Sequence, residues 1–470
     1  MRRVLALICI SIVQISLLQS PTAFGQTFNL TNGVGSWTVD GNWTTGTFPN
    51  SIGASANFNG VTGAGGLTVS LSAGVTVGSL TITNDNSGVD TFNNPNLFTL
   101  SQQTGGLLTF DQTADTSAQL TVNGTSTHLN NVRVSTNIQL NDTLSVNINN
   151  TSVSSATLLS GTISGTGGLI KNGSGGLTVS GINTYGGGTT VSAGTLIGTT
   201  SSLQGSIINN GAVKFDQNTN GSYAGNMSGT GSLTKAGSGA VTVSGTNNYA
   251  GGTLVEAGKL VVASVGSVSH GTSDFLVKNL AIAEVNGAVT ARMLTVENGG
   301  TLSGSGTITA ETVTVNGAVN PGISPGTLTI NSSLVLTSTA TLNFELNEIN
   351  RTIGSGVNDL IVVNGNLTLD GTLNVPGGPW NTSGTLASPL SWRLFEFTGA
   401  LTNNGLTLGS LPTLNGTPAP QYWQLEVVVN TGGSGGHVNL NAVPEPSVAG
   451  LLTCALSGTF ALRRRRRHSA

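Results

Sequence analysis

Apolar and polar residues alternate one by one along most of this chain. Clear runs are Leu67-Thr68-Val69-Ser70-Leu71, Ser79-Leu80-Thr81-Ile82-Thr83, Gln119-Leu120-Thr121-Val122 and Thr143-Leu144-Ser145-Val146-Asn147-Ile148. A period of two, bounded by glycine and small polar residues, predicts short strands joined by turns. No segment between residues 54 and 153 keeps an apolar residue at every third or fourth place for long enough to make a helix. Residues 301–319 hold the same rhythm more loosely. After a joint rich in breakers at 320–326 (NPGISPG), strands are expected at 327–330, 342–346 and 360–363. Asn-Gly pairs beginning at Asn123, Asn210, Asn286, Asn316, Asn364 and Asn415 mark turns that tolerate positive φ.

One stretch occurs twice. Residues 165–198 read GTGGLIKNGSGGLTVSGINTYGGGTTVSAGTLIG, and residues 229–262 read GTGSLTKAGSGAVTVSGTNNYAGGTLVEAGKLVV. With Gly165 laid over Gly229, the copies match at 21 of 34 positions with no gap. Such self-similarity is duplication of a structural unit. Glycines and the Asn183/Tyr185 and Asn247/Tyr249 pairs match at the turns. The reactive groups in the two units are Lys171 and Lys235, and their turn glycines make each look like a solvated edge residue.

Regular short strands also suit a sandwich or a barrel. The unbroken run of about 420 residues favours a solenoid, since sandwich domains are nearer ~100. Coils of roughly 20 residues, stacked about 4.8 Å apart, would give about 20 coils and a rod on the order of 100 Å long. Leu, Val and Ile would line the inside, and Thr, Ser and Asn would form ladders outside.

Composition narrows the function. The chain has 470 residues, 68 of them Gly, with only 7% charged. The recurring Val, Leu, Ile and Thr argue for a folded all-β chain over a disordered spacer. Outside the terminal segments there are nine Lys and Arg against 18 acids, so no basic footprint for nucleic acid exists. The two cysteines, Cys9 and Cys454, lie in apolar terminal segments, and His128, His270 and His437 share no ligand spacing. No metal or other cofactor is expected.

The two ends carry targeting signals. Arg2 and Arg3 precede an apolar run at 4–18, and Ala23 and Gly25 are small residues before Gln26. This predicts a signal peptide at 1–25, cleaved between Gly25 and Gln26. Trp37 and Trp43, six apart, fall on one face of an extended segment. They are expected to cap the open end of the solenoid, with a sugar-stacking platform as the other reading. Between 376 and 423 Trp380, Trp392, Phe395, Phe397, Tyr422 and Trp423 collect in a second cap or small β-domain ending in a strand at 423–429, or else line a ligand groove. At the tail, Pro444, Glu445 and Pro446 precede an apolar span at 448–462 and then Arg463, Arg464, Arg465, Arg466 and Arg467. Fifteen residues make a helix of about 22 Å, short of a ~30 Å hydrocarbon core. The arginines would stay on the cytoplasmic side and leave the body outside.

The two units resemble the autotransporter-associated β-strand repeat. The resemblance rests on Leu169, Lys171, 177–181, 183–185, 187–189 and 193–196, and on 233–235, 241–245, Asn247, Tyr249, 251–253, Ala257, Gly258 and Leu260. The tail is similar to the PEP-CTERM sorting signal. The segment with Trp37, Asn42 and Trp43 resembles the start of many such repeat proteins. Together they imply a right-handed parallel β-helix with N-terminal and C-terminal caps and a short C-terminal transmembrane helix. Its parts would be a signal peptide (1–25), an N-terminal cap (26–60), the solenoid (61–320), a C-terminal β region and cap (321–442) and the sorting signal (443–470). The resemblance also implies an exosortase-type processing enzyme as partner, transient anchoring in the inner membrane through 448–462, and delivery to the cell surface or an exopolysaccharide matrix. The chain shows no series of strands for the membrane barrel of an autotransporter, so self-secretion is not expected.

The expected role is therefore structural or adhesive and non-enzymatic, with exopolysaccharide or other envelope glycans as partners. The alternative is a carbohydrate-active β-helix enzyme, a polysaccharide lyase or hydrolase, which would need convergent carboxyl groups. Asp359, Asp370, Glu345 and Glu348 come nearest to a cluster, but Glu345 and Glu348 are an odd number apart and would point to opposite faces of a strand. The GTGGLIKNG stretch lacks the Gly-Lys-Ser/Thr ending and the following helix of a phosphate loop.

Overall fold

The structure, a computed structural model, describes residues 25–31, 33–59, 66–83, 96–113, 116–124, 130–149, 157–322, 325–346, 358–376, 390–412 and 423–443. Within these the chain is all-β, with a single 3-10 turn at Asp40–Asn42. The strands stack in three columns, faces A, B and C of a solenoid, and all pairings from Gln26 to Leu408 between named strands are parallel.

Face A starts at Gln26–Thr27, passes through Leu169–Asn172, Thr189–Val191, Ile207–Asn209, Met227–Ser228 and Ser267–His270, and reaches Leu390–Phe397. Face B runs from Gly33–Ser36 through Gly176–Val179 and Ser232–Ala236 to Leu401–Leu408. Face C opens as a separate four-stranded sheet, Gly74–Val77, Leu107–Phe110, Ile138–Leu140 and Ile163–Gly165. It resumes at Gly221–Tyr223, Ala240–Val243 and Lys259–Val262. The coil step varies. Short steps carry Lys171 to Val191 and Val191 to Asn209, whereas a coil about twice as long separates Leu80 from Leu120. Sixteen described strands stack on face A, which at about 4.8 Å per rung makes a rod of about 70 Å. That is fewer coils than a uniform short step predicts, because coils away from the duplicated units are longer.

The alternation seen in the sequence sets the core. In Leu67–Leu71 the burial runs buried, intermediate, buried, intermediate, buried, and most rungs repeat this. Leu67, Val69, Leu177, Val179 and Leu196 are at most 1% exposed. Each such side chain contributes on the order of 1.5–3 kcal/mol by leaving water. A slip by one residue would turn the whole inner row outward, so the pattern also dictates register.

Both ends are closed by aromatics. Trp37 and Trp43 are buried, with ring centroids 5.3 Å apart, and both pack against Phe58. Trp43 Nε1 donates to Trp37 O at 2.7 Å and Trp37 Nε1 to Pro49 O at 3.2 Å. The cap reading of these tryptophans holds, and the sugar platform does not, because neither ring face meets solvent. At the other end Trp392 and Trp423 pack at 5.6 Å, and Phe395 and Phe397 are buried. These four described residues belong to the core and line no groove. Trp380 and Tyr422 lie outside the described residues. The expected last strand is not the end of the sheet: a further strand, Gly436–Ala442, lies between Leu390–Phe397 and Trp423–Val429 and is antiparallel to both. Its sequence GHVNLNA alternates as the other strands do, with Val438, Leu440 and Ala442 buried.

Among the described residues no helix is long and apolar enough to cross a membrane. The span at 448–462, with its expected helix, lies outside them.

Replacing Trp43 with Ala should leave a void against Phe28, Trp37 and Phe58 that costs about 3–5 kcal/mol. Because coils contact only their neighbours, the loss should stay local. Hydrogen exchange is expected to speed up in the rungs at 26–58 and to stay unchanged at 165–262.

Candidate functional site

The most organised chemistry on the chain lies inside the duplicated units. Lys171 and Lys235 are not solvated edge residues: both are fully buried. They occupy inward positions of Leu169–Asn172 and Ser232–Ala236, where alternation demands an apolar group. Each ammonium turns into the corner that follows. Lys171 Nζ donates to Asn172 O and Gly173 O at 2.8 Å and to Ala193 O, one coil on, at 3.1 Å. Lys235 Nζ donates to Ala236 O at 2.7 Å, Gly237 O at 2.8 Å and Ala257 O at 3.0 Å. Three donors thus meet three carbonyls at the corner, of which Ala236 O also accepts from Gln217 N at 3.3 Å. Burial lowers the Lys171 ammonium from 10.5 to about 8, so at neutral pH it is still mostly charged. Burial lowers Lys235 as well, against a raising influence from Asp216. The corner needs its glycine. Gly173 and Gly237 have φ of 73° and 74°, and a Cβ there would overlap the carbonyl oxygen of Ile148 or Gln217 on the previous coil.

Other inward polar groups do the same work at other corners. Asn183 Oδ1 accepts from Ile163 N at 2.8 Å while its Nδ2 donates to Ser202 O at 2.9 Å. Asn247, its counterpart, donates to Gly245 O and Ser267 O. Gln217 Nε2 reaches Thr219 O and Ala240 O. Tyr185 pairs with Thr189 at 2.7 Å, and Tyr249 with Thr253 at 2.6 Å. In the second unit the chain continues: Thr253 Oγ1 lies 2.9 Å from Nε2 of buried His270, whose Nδ1 is 3.0 Å from Ser273 O. A carbonyl only accepts, so Nδ1 carries the proton, Thr253 donates to Nε2 and Tyr249 donates to Thr253. Desolvation lowers the His270 pKa and keeps the ring neutral.

The two units take the same local path on different faces. Leu169–Asn172 belongs to face A, and its counterpart Ser232–Ala236 to face B. Gly176–Val179 is on face B, and its counterpart Ala240–Val243 on face C. One copy is therefore displaced from the other by three coils plus one face, and the second is turned by one side of the solenoid. The inward residues Leu169, Lys171, Val179, Asn183, Thr189, Val191 and Leu196 have identical counterparts, and Leu177 changes only to Val241. The outward strand positions Ile170, Asn172, Thr190 and Ile197 differ, with Thr178 retained as Thr242.

Of the carboxyl groups weighed as an active site, Asp359 forms a structural clamp. Asp359 is 1% exposed, and its Oδ1 and Oδ2 accept from Gly326 N at 2.8 Å and Glu345 N at 2.7 Å. It ties the joint after 320–322 to the next coil. Burial, with the Glu345 charge adding to it and the two N–H groups opposing, raises its pKa from 3.8 to about 6. Asp370 accepts from the N–H of Gly371. Glu348 lies outside the described residues.

The outer surface bears ladders of hydroxyl and amide groups. Asn343 Nδ2 donates to Asn320 Oδ1 at 2.7 Å and Asn374 Nδ2 to Asn343 Oδ1 at 3.1 Å, so three coils are stitched in file. Asn364 to Asn331, Asn147 to Gln119 and Asn172 to Ser145 repeat the device. The described Asn-Gly pairs, at Asn123, Asn210, Asn286, Asn316 and Asn364, do not sit in positive-φ turns; Asn210, Asn286 and Asn316 bond to backbone groups of a neighbouring coil, and Asn364 joins the ladder through Asn331. Corners between parallel strands are not hairpins and do not need the primed turn types. Charges pair between coils, as Lys214–Glu256, Lys259–Glu284, Lys278–Glu297 and Arg292–Asp274.

Of the targeting residues, Gly25 is exposed and Gln26 opens the first strand. Pro444, Glu445, Pro446 and Arg463 to Arg467 lie outside the described residues. Among the described residues no group of His, Cys, Asp and Glu is arranged to hold a metal.

A protein-family model described as a passenger-associated-transport-repeat matches residues 169–197 and again 233–262. These are the stretches that hold the two lysine cradles. The adhesin BmaC autotransporter of Brucella suis biovar 1 (strain 1330) is 46% identical over 110 residues, which is 23% of this chain and 3% of that protein. The match thus spans a small part of that relative's length. The chain carries two repeats of the autotransporter-passenger kind, as their pattern implied.

Replacing Lys171 with Met should keep the buried stem and strand three carbonyls, at about 1–3 kcal/mol for each left unpaired. Faster hydrogen exchange and proteolytic nicking near 171–194 are expected, and unchanged rates there would remove the cradle's structural role. For Asp359 the folded pKa lies above the unfolded one. Its contribution to stability is therefore full below about pH 3.8 and lost as pH rises through about 6. The carboxyl stretch in infrared difference spectra of wild type against Asp359→Ala should titrate near pH 6.

Proposed function

We propose that this protein is an exported, surface-displayed β-solenoid with a structural or adhesive, non-enzymatic role. The observation that carries the reading is the pair of passenger-type repeats built into a continuous parallel shaft, in a chain similar over part of its length to an adhesin. The division of labour within the repeats supports it. Inward residues are largely held identical while most outward ones vary, so the units make a rigid spacer whose surface is free to be tuned. Hydroxyl and amide ladders along that surface suit many weak contacts with glycans, including an exopolysaccharide matrix. Asp359 and Asp370, two of the carboxyl groups considered for hydrolysis, are engaged by backbone N–H groups, which supports a non-enzymatic role.

Delivery follows from the two ends. Cleavage before Gln26 releases the chain for export. The Pro444-Glu445-Pro446 motif, the apolar span at 448–462 and the run from Arg463 to Arg467 hold it briefly in the inner membrane until an exosortase-type enzyme removes the tail.

Display on a non-adherent bacterium should increase attachment to glycan-coated surfaces severalfold, and attachment no greater than with an empty display vector would sink the adhesive reading. Intact mass of the mature protein is expected to start at Gln26 and to lack Arg463 to Arg467. Retention of the arginines would refute tail processing.

A further inference from the structure

Face B carries an unopposed cation beside a row of hydroxyl groups. Its outward positions are in register over successive coils: Val34, Thr68, Thr99, Arg133, Leu158, Thr178, Ile197 and Lys214. Two residues further along each strand runs a second row. Ser36, Ser70 and Ser101 pair directly, and Ser135, Ser160 and Ser180 continue it through the hydrogen bonds of their N–H groups to Leu100, Val134 and Leu159 of the preceding coils. Six serines therefore stand in file, about 4.8 Å apart.

Arg133 is exposed in the middle of this array. Among the eight described lysines and arginines it alone has neither a carboxylate partner nor a cradle of carbonyls. The contrast with Lys214, four rungs on in the same row, is direct: that ammonium is held by Glu256 at 3.1 Å, with Asp216 at 4.0 Å. The face B strands from Gly33–Ser36 to Thr195–Gly198 contain no Asp or Glu at all. An exposed guanidinium on an acid-free, hydroxyl-lined sheet is the complement of an anion. Its five N–H donors form a planar fork that matches a carboxylate.

The flanking serines fit a polyol. Ser70 Oγ donates to Gly35 O and Ser101 Oγ to Val69 O, both at 3.3 Å. With their protons committed, they present lone pairs outward, which accept from sugar hydroxyl groups. A nucleic acid would require a run of cations to offset its phosphates, and these strands carry Arg133 alone.

Resting on the adhesive reading above, we propose that face B around Arg133 binds a uronate-containing polysaccharide, with the guanidinium on the uronate carboxylate and the serine row on the hydroxyl groups of neighbouring sugars.

The probe is a hyaluronan oligosaccharide, in which glucuronate alternates with an uncharged sugar, titrated against the full chain. Its control is the same oligosaccharide with the carboxyl groups reduced to alcohols. Binding should be weak, fall with added salt, and be weakened about threefold or more by Arg133→Gln or by carboxyl reduction. Arg133→Lys should fall between, because a point charge replaces the fork. Lys214→Gln, on the same row but already paired, should change the affinity by less than about twofold. Equal binding of the reduced oligosaccharide, equal binding by Arg133→Gln, or no binding by the wild type each overturns the proposal. Attachment of displaying cells, measured in parallel, keeps the two readings apart. Wild-type attachment that survives Arg133→Gln leaves adhesion standing and removes this site. Absence of attachment in the wild type removes the adhesive reading itself.

Discussion

A solenoid of parallel coils satisfies its backbone along the flat strands and fails to do so at the corners. Where the chain turns from one face to the next, carbonyl groups leave the ladder and point inward or toward the neighbouring coil, away from water. The rest of this structure depends on how those carbonyls are paired. In the duplicated units the answer is a buried ammonium with three N–H groups for three carbonyl oxygens. At other corners Asn183, Gln217 and Asn247 do it with amides. Burying a charge is costly unless every hydrogen bond is made, and for each lysine every one is. The lysine therefore specifies where the corner falls as well as stabilising it.

The same constraint explains why the duplicated unit tolerates being turned to a new face. Its identity resides in inward residues and corner glycines, which see only the coil before and the coil after. None of them senses whether its strand belongs to face A, B or C. A unit whose contacts are all nearest-neighbour can be inserted at any phase of the solenoid. The outer surface is released from that requirement, and it is there that Ile170 and Thr234, or Thr190 and Leu254, part company. Shaft and surface are thus under separate control, which suits a rod whose work is contact.

The fold was legible in the residues to a large degree. Period-two alternation named the strands and their inward rows, because a strand has only two sides and one of them is dry. Trp37 and Trp43 could be assigned to a cap because an open end of a stacked core has to be covered. Gly436–Ala442 was missed although Val438, Leu440 and Ala442 form the same buried alternating row. The number of coils was overestimated because register, and not spacing in the sequence, determines the length of each step. For the candidate site the outcome was the reverse. Lys171 and Lys235 looked like surface residues, since a charge beside glycines is most often solvated, and only the proximity of Ala193 and Ala257 one coil on reveals the cradle. Asp359 looked like a member of a carboxylate cluster and turned out to be a clamp, because Gly326 and Glu345 meet it from both sides.

By itself, the sequence determined the class of structure, the direction each strand residue faces and the existence of a repeated unit, since these follow from local periodicity and from self-comparison. Tertiary structure alone decided the corner partners of the lysines, the turn of the second unit by one face, and the isolation of Arg133 amid serines. Each of those depends on which residues lie one coil apart. That separation changes along the chain: Asn209 is the next residue in the stack after Val191, whereas the far more distant Leu120 is the next after Leu80. No local pattern encodes it.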